Sequence, residues 1–126
     1  MSGEPTYKKS DRTNEERAED LLSRMTLEEK VNQLIDELPD VVWLERVAGE
    51  LRISDGLKAV LKDPPCGKVG LLLRNDAYAA RSMDLVSTPA EAANISNEMQ
   101  RYVRDHTRLG IPMLSGNDNN HCHLGW

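Results

Sequence analysis

Asp118, His121, Cys122 and His123 fall within six residues of one another, in the run Ser115-Gly116-Asn117-Asp118-Asn119-Asn120-His121-Cys122-His123. Two chemistries suit residues of these types. A carboxylate on an exposed loop can accept paired hydrogen bonds from vicinal hydroxyls, and charge-assisted bonds are about twice as strong as neutral ones. Imidazole and thiolate side chains are good zinc ligands. Neighbouring side chains in so short a loop seldom converge on a tetrahedron, however, and no second ligand pair of the C-x-x-C type exists elsewhere in the chain. A third role for Asp118 is purely local, closing a turn together with Asn117 and Asn119. Which role applies depends on the elements that hold the loop.

Those elements are legible upstream. Lys68 to Leu73 is nearly continuously apolar, as expected of a parallel strand covered on both faces. Arg74 to Ser87 is the loop after it. Thr88-Pro89-Ala90-Glu91 combines a capping hydroxyl, proline at the first helical position and a glutamate three residues after the cap. The helix so started carries Ala92, Ile95, Met99 and Val103 on one face and runs to about His106. Gly110 is its stop, and Ile111 to Leu114 reads as a second buried strand. Strand, helix and strand make one βαβ unit. Ligands of such units bind beyond the carboxyl ends of the strands, which is where Asp118 falls.

The N-terminal half reads as helical. Residues 1–12 are polar. Thr13 with Glu16, and Thr26 with Glu29, each form a capping box. The first opens a helix with Ala18, Leu21, Leu22 and Met25 on one face; the second opens a helix striped by Leu27, Val31, Leu34, Ile35 and Leu38, which Pro39 ends. Val41, Val42, Leu44, Val47, Ala48 and Leu51 suggest a further helix, and Ser54 can cap another that carries Leu57, Val60 and Leu61. Trp43 reads as a core anchor, the alternative being a partner contact. Asp63-Pro64-Pro65-Cys66-Gly67 is a breaker. The organisation expected is therefore a polar segment (1–12), a helical lead-in with an insertion (13–65) and a βαβ unit (66–126).

Three blocks resemble glycoside hydrolase family 3, the β-glucosidase-type enzymes. Thr107-Arg108-Leu109-Gly110-Ile111-Pro112-Met113-Leu114 followed by Gly116, Asp118 and His121 is similar to that family's first sugar-binding segment. Glu16 to Val31, with Leu21-Leu22-Ser23-Arg24-Met25-Thr26-Leu27-Glu28-Glu29-Lys30, looks like its N-terminal helix pair. Asn97-Glu98-Met99-Gln100 matches the N-x-x-Q of the helix before its second strand. The resemblance covers roughly residues 13–38 and 66–123. It implies an α/β fold that is the opening part of a (β/α)8 barrel, since a complete one takes about 250 residues and this chain has 126. It implies that Asp118 binds ring hydroxyls of a β-linked glucoside or oligosaccharide and that His121 orders the loop.

The same resemblance implies what is missing. A retaining glycosidase needs two carboxyl groups about 5–5.5 Å apart, as nucleophile and acid/base. The family carries both later in its barrel, so no catalytic residue is expected here, and the 126 residues alone are expected to be inactive. Ser54-Asp55-Gly56 matches the nucleophile motif on paper but precedes the first strand, and reads as a helix cap. The family's Lys-His pair and upstream Arg are absent. Cys122 replaces a glycine, which would strain any positive φ there. Leu124-Gly125-Trp126 departs from the family's run, as the end of a truncated, spliced or frameshifted product would.

Composition narrows the remaining classes. Hydrophobic residues are 39% and charged residues 29%, with aromatics at 4% and no Phe. A net charge of −5 without a basic patch speaks against nucleic-acid binding, and no apolar run approaches the roughly 20 residues that span a bilayer. No signal peptide is visible at Met1-Ser2-Gly3-Glu4-Pro5, so the cytoplasm is the expected compartment. Cys66 and Cys122 are too few for a disulfide framework and read as thiols. Asn94-Ile95-Ser96 is a formal glycosylation sequon inside a predicted helix. No cofactor and no metal are expected. A reading of a different class is a non-catalytic interaction protein, self-associating through an exposed sheet edge.

Overall fold

The computed structural model describes residues 4–37, 43–62, 64–70 and 88–116. A short 3₁₀ turn, Thr6–Lys8, precedes helices α1 (Asn14–Arg24) and α2 (Leu27–Asn32). Both predicted capping boxes are formed: Thr13 with Glu16, and Thr26 with Glu29. The apolar stripes they open are at most partly covered. Neither helix buries a residue, and Leu27 and Leu34 are 79% and 87% exposed.

The second helix is shorter than its stripe predicts. It was expected to run to Leu38 but ends at Asn32, and Asp36–Glu37 instead form strand β1. The cause is a close approach from later in the chain. The Gly67 N–H donates to the Asn32 carbonyl at 2.9 Å and the Lys68 N–H to the Ile35 carbonyl at 3.3 Å, taking acceptors the helix would have needed. Only glycine permits this: a Cβ on Gly67 would lie 1.9 Å from the Gln33 carbonyl oxygen. Two acidic residues have little intrinsic preference for a strand. The pairing of Asp36 opposite Lys68, where their side chains form an ion pair, supplies what propensity does not.

From Trp43 onward the helix predicted over Val41 to Leu51 is likewise absent; Val41 and Val42 lie outside the described residues. Residues 44–53 form a hairpin, β2 (Leu44–Val47) and β3 (Glu50–Ile53), antiparallel with Leu44 opposite Ile53. Ala48 and Gly49 turn it with φ of 50° and 88°, the positive angles a two-residue hairpin turn requires. The segment satisfies the helical spacing and the strand alternation equally. Gly49 favours the hairpin, because it weakens a helix by about 1 kcal/mol and suits the turn. Leu44, Leu51 and Ile53 face inward, and Val47 stays outside.

Helix α3 (Asp55–Val60) starts where expected, with the Ser54 hydroxyl accepting from the Leu57 N–H at 3.2 Å. Leu57 and Leu61 are fully buried and Trp43 is 7% exposed, the anticipated core position. Strand β4 (Lys68–Gly70) follows, then α4 (Pro89–His106), whose capping box of Thr88 and Glu91 is present. Its predicted face, Ala92, Ile95, Met99 and Val103, is buried without exception and packs with Val69, Leu57, Ile53 and Met113 in one core.

Gly110 does not end α4. Thr107 does, in extended conformation, with its hydroxyl donating to the Val103 carbonyl at 2.7 Å and accepting from the Gly110 N–H at 3.1 Å. Gly110 makes the left-handed step after it, with φ of 62°. Strand β5 spans Leu114–Gly116 rather than the predicted 111–114, and Leu114 is 70% exposed rather than buried. Strands β1, β4 and β5 form one parallel sheet in the order β1-β4-β5, with β4 in the middle. This mixture of helices and small sheets is that of an α/β fragment.

Candidate functional site

The three strands of this sheet run parallel. Their register sets Glu37 opposite Val69 and Ser115, with Gly70 opposite Gly116. Running parallel, β4 and β5 point their carboxyl ends to one side of the sheet, the side where α/β proteins bind ligands. Asp118, His121, Cys122 and His123, and the loop 74–87, lie outside the described residues. Among the described residues no group of three His, Cys, Asp or Glu side chains is placed to hold a metal ion.

What the described residues show is how β5 and its approach are fixed. Gln100, on α4, clamps the backbone of Met113: its Nε2 donates to the Met113 carbonyl at 2.8 Å, and its Oε1 accepts from the Met113 N–H at 3.3 Å. Met113 is 4% exposed, so both backbone groups have little access to water. The side chain thus replaces a neighbouring strand for one residue. The glutamine noted only as part of a sequence block is, in the fold, the residue that sets where β5 begins.

A second tie joins the start of the chain to the same segment. The Arg108 guanidinium meets the Glu29 carboxylate with both Nε (2.8 Å to Oε1) and a terminal nitrogen, which also reaches the Arg24 carbonyl. The guanidinium holds the Glu29 carboxyl down at about 2, helped by the Thr26 N–H. The Tyr7 hydroxyl donates to the Leu109 carbonyl at 3.0 Å, and Tyr7 is itself anchored through its N–H to Asp20 and through its carbonyl to Arg17. The block containing Arg108 is therefore in direct contact with both others, through Glu29 here and through Gln100 at Met113.

A third tie secures the front of α4. Arg46 on β2 pairs with Glu91 at 2.6 Å, and this contact, with the Thr88 N–H, holds the Glu91 carboxyl at about 2. Glu91 thus serves as helix cap and as hairpin anchor. Sequence reasoning found the cap and missed the anchor, because the partner is 45 residues away on an element it took for a helix. The roles of Arg108 and Glu29 were missed for a similar reason: long-range ion pairs leave no local pattern.

The described fold and this strand arrangement are those of an α/β unit. No protein-family model matches the chain. The chain is similar to a protein of Formosa agariphila named "Putative beta-xylosidase", with 34% identity over 108 residues. The matched region is 86% of this chain and 13% of that protein, so the chain spans only a small part of its relative's length. The similarity suggests a glycoside hydrolase-like origin. No helix among the described residues is long and apolar enough to cross a membrane.

Proposed function

We propose that this chain corresponds to the opening part of the barrel domain of a family 3 glycoside hydrolase, and that it contributes one substrate contact, Asp118, to a β-linked glycoside. The observation that supports the reading is the parallel register of β4 and β5, with Gly70 opposite Gly116, together with the place of Asp118 two residues further along the sequence. A carboxylate there accepts hydrogen bonds from adjacent ring hydroxyls and orients the sugar without taking part in bond cleavage. His121 orders the loop behind it. The similarity to a protein named as a beta-xylosidase supports a glycoside substrate and leaves pentosides and hexosides equally open.

Cleavage of the glycosidic bond requires a nucleophile and an acid/base, and neither comes from these residues in the proposed scheme. The 126-residue chain is accordingly inactive by itself. The test is hydrolysis of chromogenic β-glucoside and β-xyloside by the purified chain. Activity that Asp118→Ala abolishes would show that the chain carries its own catalytic groups and overturn the assignment.

A second reading rests on exposed apolar surface. Leu114 at 70% on the edge strand β5, together with Leu27, Val31 and Leu34 on the lead-in, suits a protein that associates through this surface. Size-exclusion chromatography separates the two: discrete, concentration-saturable oligomers favour association as the function. Heterogeneous aggregation favours an enzyme segment lacking the rest of its barrel.

A further inference from the structure

At the opposite end of β5 from the proposed sugar site, the 3₁₀ turn, α1 and the C-terminal half of α4 enclose an open cleft of about 560 Å³. Its lining includes Lys8, Arg17, Arg101 and Arg104, with Tyr7 and Asn97, and no carboxylate among the described residues. Arg104 is matched by its neighbour Asp105 at 2.6 Å. The other three cations have no acidic partner among the described residues. Lys8 lies over the Tyr7 ring at 5.6 Å and Arg17 gives its Nε to the Tyr7 carbonyl; the Arg101 side chain, which also borders the neighbouring cleft of Glu91 and Glu98, makes no hydrogen bond or ion pair among the described residues. Elsewhere the described arginines on the folded elements are taken up: Arg24 by Asp20, Arg46 by Glu91, Arg52 by Glu50 and Arg108 by Glu29.

This imbalance occurs in a chain whose net charge is −5. Like charges converging on a concave surface repel one another and raise the local potential, and an anion relieves both effects. The terminal nitrogens of Arg17 and the whole fork of Arg101 remain available as donors, in the planar arrangement that matches two oxygens of one oxyanion. Asn97 adds an amide at the same wall. Tyr7 fixes the floor, because its hydroxyl is already committed to the Leu109 carbonyl.

We propose that this cleft is a binding site for a small oxyanion-bearing ligand, of phosphate or sulfate type, held by Arg17 and Arg101 with Lys8 and Arg104 as flanking charges. Its described lining includes no residue proposed to bind the sugar, so it goes beyond the glycoside reading and does not depend on it. Because Gly110 and Pro112 form one wall, an occupied cleft also steadies the segment that leads into β5.

The test is a titration of the ¹⁵N-labelled 126-residue chain with inorganic phosphate and, separately, sodium sulfate, with sodium chloride holding the ionic strength constant. Expected are saturable shifts of the amides of Arg17, Arg101 and Gly110. Arg101→Gln, at an exposed position, should weaken binding about tenfold, the value of one charge-assisted contact. Arg104→Gln should weaken it less, and Lys30→Gln, on α2 and outside the lining of the cleft, should leave it unchanged. The proposal is overturned if chloride alone reproduces the shifts, if no saturation occurs with either anion, or if Arg101→Gln binds like the parent. Arg104→Gln serves as the independent check should Arg101→Gln alter the thermal midpoint.

Discussion

Replacing Gln100 by methionine keeps the length of the side chain and removes the amide that holds Met113. The Met113 N–H and C=O each lose a hydrogen bond, at 3.3 Å and 2.8 Å, in a residue that is 4% exposed. A buried backbone group left without a partner costs about 1–3 kcal/mol. Gln100 also borders the open cleft, so water can reach part of the vacated space. A loss near the bottom of the summed range, about 2 kcal/mol, is therefore expected, or a midpoint lowered by roughly 6–10 °C in a domain of this size. Gln100→Glu separates the hydrogen bonds from mere shape. As a carboxylate it still accepts from the Met113 N–H but sets a negative oxygen against the Met113 carbonyl. As a neutral acid, below a pH of about 4.3, it can donate again. The assay is urea unfolding followed by circular dichroism, from pH 7 to pH 3. Gln100→Glu should be less stable than Gln100→Met at pH 7, and the order should narrow or invert at pH 3. A Gln100→Met loss below about 0.5 kcal/mol, the size of an ordinary surface change, or pH-independent ranking of the two variants, would refute the clamp.

Other substitutions test the remaining supports. Gly67→Ala should cost more than Gly49→Ala, because its Cβ would meet the Gln33 carbonyl oxygen at 1.9 Å whereas that of Gly49 meets nothing within 4 Å. The Gly49 change should cost only about 1 kcal/mol of backbone strain at its positive φ, and equal losses in parallel urea titrations would dismiss the close approach of β4 to α2. Ala48→Asn should raise stability by several tenths of a kcal/mol, since φ of 50° suits Asn better than Ala, and an unchanged urea midpoint would count against the turn. Glu29 and Glu91 both titrate near 2 when folded, against an ordinary value of 4.5. Their stabilising contribution is thus complete above pH 4.5 and is lost as pH falls through 2. Glu29→Gln should flatten the stability profile across that window, and a slope equal to the parent's would show that Arg108 is not its partner.

Much of the local structure follows from short-range chemistry alone. Three capping boxes, the Ser54 cap and the buried face of α4 need only residues three or four positions apart, so they can be read in any context. The resemblance of Thr107 to His121 to a sugar-binding segment is of the same kind, a linear pattern independent of the fold. Asp118 itself lies outside the described residues, and the role proposed for it stands on that pattern.

Tertiary structure decided the rest, wherever two conformations satisfied the same local rules. Residues 44–53 fit helix and strand periodicities alike, and burying Leu44, Leu51 and Ile53 against α4 selected the hairpin. The stripe Leu34–Ile35 pointed to a longer α2, yet carbonyls captured by Gly67 and Lys68 ended it and made β1 of two acidic residues. The ion pairs Glu29–Arg108 and Arg46–Glu91, and the Gln100 clamp, join residues 79, 45 and 13 positions apart. No pattern along the chain encodes such meetings, because their free energy exists only once packing has brought the partners out of water and into reach.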